Sequence, residues 1–199
     1  MAFQPVYRVG KNLYINLTNR CSNRCAFCVR EGQSAVGEAE SLWLDREPQE
    51  EEVLAALRRM GAADCGEIVF CGFGEPTERL DALTGVARQI KSEWPGMRVR
   101  LNTNGQGSLI AGRDITPEFN GLIDCASVSL NAANARDYAR VCRPEHGEGA
   151  FDAVLDFAAK AKAHIPEVVL SIVEGEADAP ACENLARRLG LPLRVRGKM

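Results

Sequence analysis

Histidine is nearly absent from this chain. His146 and His164 are the only two among 199 residues, and they do not form a ligand-spaced pair. Imidazole-based metal sites are therefore not expected. A second close cysteine pair is also missing, because Cys65, Cys71, Cys125, Cys142 and Cys182 are scattered. That argues against a four-thiolate zinc site and against the disulfide framework of a small secreted protein. No run of about 18 apolar residues occurs, so no membrane span is expected. The opening Met1-Ala2-Phe3-Gln4-Pro5 lacks the basic and apolar blocks of a secretory signal. Eight cysteines without an export signal point to a reducing, cytoplasmic setting in which thiols stay available for metal. A large excess of one charge sign is lacking too. The net charge of -3 gives no general case for nucleic-acid binding, although arginines gather near 20–30 and at 194–198. Low-complexity stretches and composition breaks are absent, and 46% hydrophobic with 26% charged residues suits one globular domain over residues 1–199.

What the chain does have is a cysteine run, Cys21-Ser22-Asn23-Arg24-Cys25-Ala26-Phe27-Cys28, with C-x3-C-x2-C spacing. Three thiolates on one tight loop can hold three irons of a [4Fe-4S] cluster and leave the fourth without a protein ligand. An open metal position separates a catalytic site from a closed structural one. The alternatives are a zinc half-site or unliganded thiols, but only Cys25 and Cys28 have the pair spacing that zinc favours.

Apolar segments alternate with longer amphipathic ones. Residues 12–17 read as a strand paired with Val6-Tyr7-Arg8-Val9 across Gly10-Lys11, and they run directly into the cysteine loop. Residues 31–46 read as an irregular loop, with Trp43 assigned to core packing in preference to a lid or substrate contact. Pro48 to Met60 reads as a helix, because Pro48 suits a first turn, glutamates follow, and Val53, Leu54, Leu57 and Met60 make an apolar stripe. Strands are expected at 67–71, 98–103, 123–130, 168–173 and 193–196, and helices at 78–94, 151–163 and 179–189. The order strand, helix, strand repeats about six times, which argues for parallel strands. Six units are too few for a closed eight-unit barrel. The expected fold class is α/β, an open partial (β/α)6 TIM-like barrel.

Ligands collect at the carboxyl ends of strands in such folds. The first strand end is the cysteine loop. The second is Cys71-Gly72-Phe73-Gly74-Glu75-Pro76-Thr77, where Gly72 and Gly74 would let backbone carbonyls approach a ligand ammonium and Glu75 would add negative charge. A tight strand-to-helix turn is the alternative. The third carries Asn102 and Asn104 before Gly105, as amide ligand contacts or as an Asn-Gly turn. The fourth carries Ser129 and Asn131, spaced by two and so expected on one side of a strand, or at a simple strand exit. Arg143, stiffened by Pro144, could pair with a carboxylate or serve as a surface ion pair.

The loop Thr18 to Cys28, including the aromatic Phe27 before the last cysteine, resembles the signature of the radical S-adenosylmethionine (radical SAM) superfamily. Residues 12–30, 70–77, 101–105 and 128–132 all resemble its segments in order. The run 71–77 resembles the superfamily's GGEP motif, with Phe73 interrupting the glycines. Length, Ser129-Leu130-Asn131-Ala132, Cys142-Arg143-Pro144 and Arg194-Val195-Arg196 are most similar to the small TatD-associated radical SAM proteins. The resemblance implies one [4Fe-4S] cluster on Cys21, Cys25 and Cys28. It implies S-adenosylmethionine contacts from Phe27, Gly72, Gly74, Glu75, Asn102, Asn104, Ser129, Asn131 and Arg143. It further implies reductive cleavage of the cofactor to a 5′-deoxyadenosyl radical that takes hydrogen from an unknown substrate. A reducing partner such as flavodoxin or ferredoxin and a functional link to TatD-type nucleases follow from it as well. The family's usual fifth-strand adenine motif is not recognisable in residues 169–173. Alternatives are a glycyl-radical-enzyme activase, a deazaguanine-precursor synthase type, or a non-enzymatic iron–sulfur electron carrier or redox sensor.

Overall fold

The computed structural model describes residues 3–197. Met1 and Ala2, which head the segment inspected for a signal, and Lys198, the end of the basic stretch at 194–198, lie outside the described residues. The elements are β1 (Val6–Val9), β2 (Asn12–Ile15), α1 (Glu50–Arg59), β3 (Ile68–Phe70), α2 (Leu80–Glu93), β4 (Val99–Thr103), α3 (Gly107–Ala111), β5 (Cys125–Ser129), α4 (Ala135–Cys142), α5 (Gly149–Ala161), β6 (Glu167–Val173), α6 (Ala179–Leu189) and β7 (Leu193–Arg196). All seven strands form one sheet in the order β1 to β7. β2 through β7 run parallel, and β1 pairs antiparallel with β2, Tyr7 opposite Tyr14. The sheet is open, with β1 and β7 at its edges. The expected six parallel strands and partial barrel are therefore present, with the β1 hairpin as an antiparallel addition.

Local chemistry explains the helices. α1 carries Glu50, Glu51 and Glu52 in its first turn and Arg58 and Arg59 in its last, each complementing the helix dipole. Asp178 caps α6 by accepting from the Ala181 amide at 3.0 Å, and Gly190 ends it in the left-handed conformation. The segment expected to be helical from 78 divides into a 3-10 turn, Pro76–Arg79, and then α2. Two helices, α3 and α4, were not expected from the sequence. α4 is a single amphipathic run of eight residues, capped by Asn134 on the Asp137 amide at 2.9 Å.

The two faces of the sheet differ. One carries Leu13, Ile15, Ile68, Phe70, Val99, Leu101, Val128 and Leu170, all fully buried. They form one cluster with Val53 and Leu57 of α1, Leu83 and Ile90 of α2, Phe157 of α5 and Leu185 of α6. The other face looks into the barrel interior. Ladder partners share a face, so Tyr14, Val69, Arg100 and Cys125 form one tier, and Asn102 with Ser127 another. The floor of the interior is ionic: buried Glu67 accepts from Arg100 at 2.9 Å and Asn12 at 3.1 Å, and Arg98 pairs with both Glu67 and Glu167.

Residues 31–46 are irregular, as expected, and fold back over this interior. Leu42 is buried with Tyr7 and Phe73. Two asparagines hold the segment: Asn16 donates to the Leu42 carbonyl at 2.6 Å and Asn19 to the Leu44 carbonyl at 2.7 Å. Trp43, expected in the core, is instead 39% exposed and meets Phe73 edge-on at 5.0 Å. Leu42 and Leu44 on either side of it are buried instead, and the residue between them is left outside.

Candidate functional site

The cysteine loop leaves the carboxyl end of β2 and is tied down on every side. Its Arg24 and Ala26 amides donate to the Cys142 and Val141 carbonyls at 3.0 and 2.9 Å. Those carbonyls end α4 and would otherwise lack partners. Asn23 is buried and donates to the Tyr138 hydroxyl at 3.1 Å, while Gln106 donates to Asn23 at 2.7 Å and to Tyr138 at 3.0 Å. Arg30 reaches back to the carbonyls of Asn19 and Asn23, each at 3.3 Å. Asn104 donates to the Ser22 hydroxyl at 2.9 Å and lies 4.0 Å from the Cys21 sulfur. The turn that presents Asn104 depends on Gly105, whose positive φ of 78° suits glycine.

The three cysteines are half-buried free thiols. Burial, with Glu75 nearby, pushes Cys21 up to about 12. A hydrogen bond with Cys142 and burial raise Cys25, and burial raises Cys28. Among the described residues no three His, Cys, Asp or Glu side chains converge on a single-ion position. A four-iron cluster does not need such convergence, since each thiolate takes its own iron.

Glu75 has a different role from the expected one. Its carboxylate is buried and accepts from the Thr77 amide at 3.1 Å, the Thr77 and Thr103 hydroxyls at 2.7 Å each, and the Asn104 amide at 2.6 Å. Burial raises its pKa against the pull of those bonds. The side chain therefore clamps the β3 turn to the end of β4, and its charge does not face an open ligand position. Gly72 and Gly74 also answer to packing. A Cβ on Gly72 would run into the Asn16 side chain, and one on Gly74 into the carbonyls of Thr18 and Arg20. The two glycines let this turn lie against β2 and the cysteine loop, with Gly72 still lining the interior cavity.

Ser129 and Asn131 do not share one strand face. β5 ends at Ser129, and Asn131 takes a left-handed φ of 54°. Leu130 and Asn131 both donate to the Ser171 carbonyl, which breaks the alternation. Asn131 lines a cleft of about 330 Å³ with Gly175 and Asp178, between the segments that follow β5 and β6. Arg143, also left-handed and exposed, lines a cavity of about 440 Å³ with Arg24, Cys25 and Glu31. Phe27 is half-buried against the main core. Asn102 lines the interior cavity together with Cys71. Sequence reasoning missed Asn23, Gln106, Tyr138 and Arg30. Their partners are far along the chain, so only the polarity of Gln106 just beyond an Asn-Gly turn was visible.

The residues fit an iron–sulfur cluster and a polar cofactor. Buried atoms around the mouth are left without partners: Oδ1 of Asn16, Asn102 and Asn131, and Oγ of Ser171. Buried polar groups are normally satisfied, so orphans gathered at strand ends point to a polar ligand. A thiol loop at the carboxyl end of the first parallel strand, with polar ends on the next three, defines a partial-barrel iron–sulfur cofactor protein.

The radical SAM superfamily model matches residues 15–182, and the chain belongs to that superfamily. It is 33% identical over 146 residues to a probable GTP 3′,8-cyclase of Methanocella arvoryzae, covering 73% of this chain and 41% of that one. It is 27% identical over 135 residues to the tRNA-2-methylthio-N(6)-dimethylallyladenosine synthase of Chlorobium phaeovibrioides, covering 65% of this chain and 26% of that one. The fold superposes with a TM-score of 0.63 on Streptococcus suis SuiB bound to S-adenosylmethionine, at 13% identity, covering 94% of this chain and 38% of that one. The chain thus spans roughly a quarter to a half of the length of the curated relatives it matches. No helix among the described residues is long and apolar enough to cross a membrane.

Proposed function

We propose that this protein is an enzyme that cleaves S-adenosylmethionine reductively and abstracts hydrogen from a substrate. The observation that carries this reading is the rigid three-cysteine loop facing strand ends with unpartnered polar atoms. Cys21, Cys25 and Cys28 would hold the one [4Fe-4S] cluster. When bound, the cluster and S-adenosylmethionine supply electron transfer into a carbon–sulfur bond and, from it, a carbon-centred adenosyl radical. The chain's own contribution is orientation and exclusion of water. Asn23, Gln106 and Tyr138 fix the loop, and Glu75 fixes the turn from Gly72 to Thr77, whose backbone would meet the cofactor's amino group. Asn102, Asn104, Ser129 and Asn131 would contribute amide and hydroxyl contacts, Arg143 a carboxylate contact, and Phe27 a wall of the adenine pocket.

The reading extends to a flavodoxin- or ferredoxin-type reductant, a cytoplasmic location and a link to TatD-type nucleases. The last is supported by Ser129-Leu130-Asn131-Ala132 and Cys142-Arg143-Pro144. Anaerobic reconstitution with iron and sulfide, then dithionite and S-adenosylmethionine, tests the activity. About four irons per chain and formation of 5′-deoxyadenosine are expected. Equal product from the wild type and Cys25→Ala overturns the assignment.

A further inference from the structure

The interior of the barrel holds a cavity that the cofactor contacts leave unexplained. It has a volume of about 330 Å³, at the small end of ligand pockets. One wall is apolar and aromatic, from Tyr7, Tyr14, Leu42 and Phe73; the Tyr7 and Tyr14 rings lie 5.4 Å apart. The other wall carries Arg194 and Arg196 of β7. These two are spaced by two along the strand, and their ladder partners Ser171 and Val173 share their face. Among the described residues no carboxylate lines the cavity.

The arginines separate into two kinds. Arg100, also on the cavity, is neutralised by Glu67 at 2.8 Å. Arg194 and Arg196 have no ion pair or side-chain hydrogen bond among the described residues, and the Arg196 Nε is buried without a partner. Burial and the neighbouring Arg194 charge push the Arg196 pKa down. An unpaired buried donor on a charged group costs stability, and two adjacent cations add repulsion. A fold that keeps both facing an apolar pocket is organised for an incoming anion. The guanidinium fork suits a carboxylate or a phosphate. Asn131 and Arg143 line other cavities, while Gly72 and Asn102 border this one, so the cavity adjoins the cofactor position without containing most of the cofactor contacts.

We propose that this cavity is the substrate site and takes a small anionic molecule, its carboxylate or phosphate on Arg194 and Arg196 and its apolar body against Tyr7, Tyr14, Leu42 and Phe73. The assignment as substrate rests on the radical SAM reading; the anion site itself does not.

The test uses the reconstituted protein under anaerobic conditions with three probes: benzoate, phenyl phosphate and uncharged benzamide. Calorimetry is expected to show at least one of the two anions binding at least tenfold more tightly than benzamide. Whichever binds better identifies the anion as carboxylate or phosphate. Arg196→Met should weaken that anion at least tenfold and Arg194→Met about threefold or more, with S-adenosylmethionine affinity within twofold of wild type in both. Arg194 is exposed, so its variant keeps the test available whatever Arg196→Met does to folding. Failure of the wild type to bind either anion overturns the proposal, as does unchanged anion binding in the variants. Loss of S-adenosylmethionine binding in their place also overturns it. A wild type that binds the anion yet yields no 5′-deoxyadenosine with dithionite would defeat the enzymatic reading and leave the anion site standing.

Discussion

Along β4, Val99 and Leu101 turn toward the helices and are fully buried in the main core, while Arg100 and Asn102 turn into the barrel, one paired with Glu67 and the other with an unsatisfied oxygen. On β5, Ala126 and Val128 likewise turn toward the helices and Ser127 and Ser129 into the barrel, while on β3 the inward residue is the apolar Val69. The helix-covered face obeys the ordinary rules of an interior: apolar, close-packed and without stray polar atoms. The inner face departs from them, with unpartnered amide oxygens, a buried guanidinium nitrogen and a thiol, Cys71, whose pKa burial raises. The helix-covered side therefore stabilises the fold, and the inner side carries polar atoms that the protein itself leaves without partners.

Substitutions can break that division or sharpen it. The largest effect is expected at Cys25→Ala, which should abolish 5′-deoxyadenosine formation while shifting the urea midpoint of the metal-free protein little. A large shift would mean that the loop is structural. Next, Leu101→Ala should cost about 3 kcal/mol by leaving a cavity in the main core, read by urea denaturation. The affinity of the folded variant for S-adenosylmethionine should remain that of wild type. Glu75→Ala lies between the two kinds: it strands four donors and should cost about 2 kcal/mol, while also loosening the Asn104 side of the cysteine loop. Iron content after reconstitution should fall with it, and a variant that loads iron like the wild type would separate the clamp from the loop. The smallest stability effect is expected at Asn102→Leu, neutral or stabilising by up to about 1 kcal/mol because an orphaned oxygen is removed. Its affinity for S-adenosylmethionine should drop, and an unchanged affinity would remove Asn102 from the site.

This division also explains what was legible in the sequence. Strand 98–103 was visible because Arg98, Arg100 and Asn102 alternate with Val99, Leu101 and Thr103, strand 67–71 because Ile68-Val69-Phe70 is an unbroken apolar run, and the cysteine loop because its signal lies within eight residues. What escaped depended on contacts between distant segments. Gln106 drew no notice beyond the Asn104-Gly105 turn, yet it joins Asn23 to Tyr138, 83 and 32 residues away. Asn131 read as a continuation of β5, because nothing local announces that Ser171 will take two consecutive amides and turn the chain left-handed. α4 was overlooked because eight residues with two arginines and an aspartate offer only a narrow apolar stripe, Tyr138, Val141 and Cys142. The glycines at 72 and 74 were found, but for a reason drawn from ligands when the nearer cause is the backbone of a neighbouring loop.

The amides of Arg24 and Ala26, by closing the last carbonyls of α4, make helix and thiol loop a single mechanical unit. Chain entropy that a floppy metal-binding segment would surrender on loading has already been given up during folding. Amide protons inside the loop should consequently exchange with deuterium at the pace at which α4 frays, even in iron-free material.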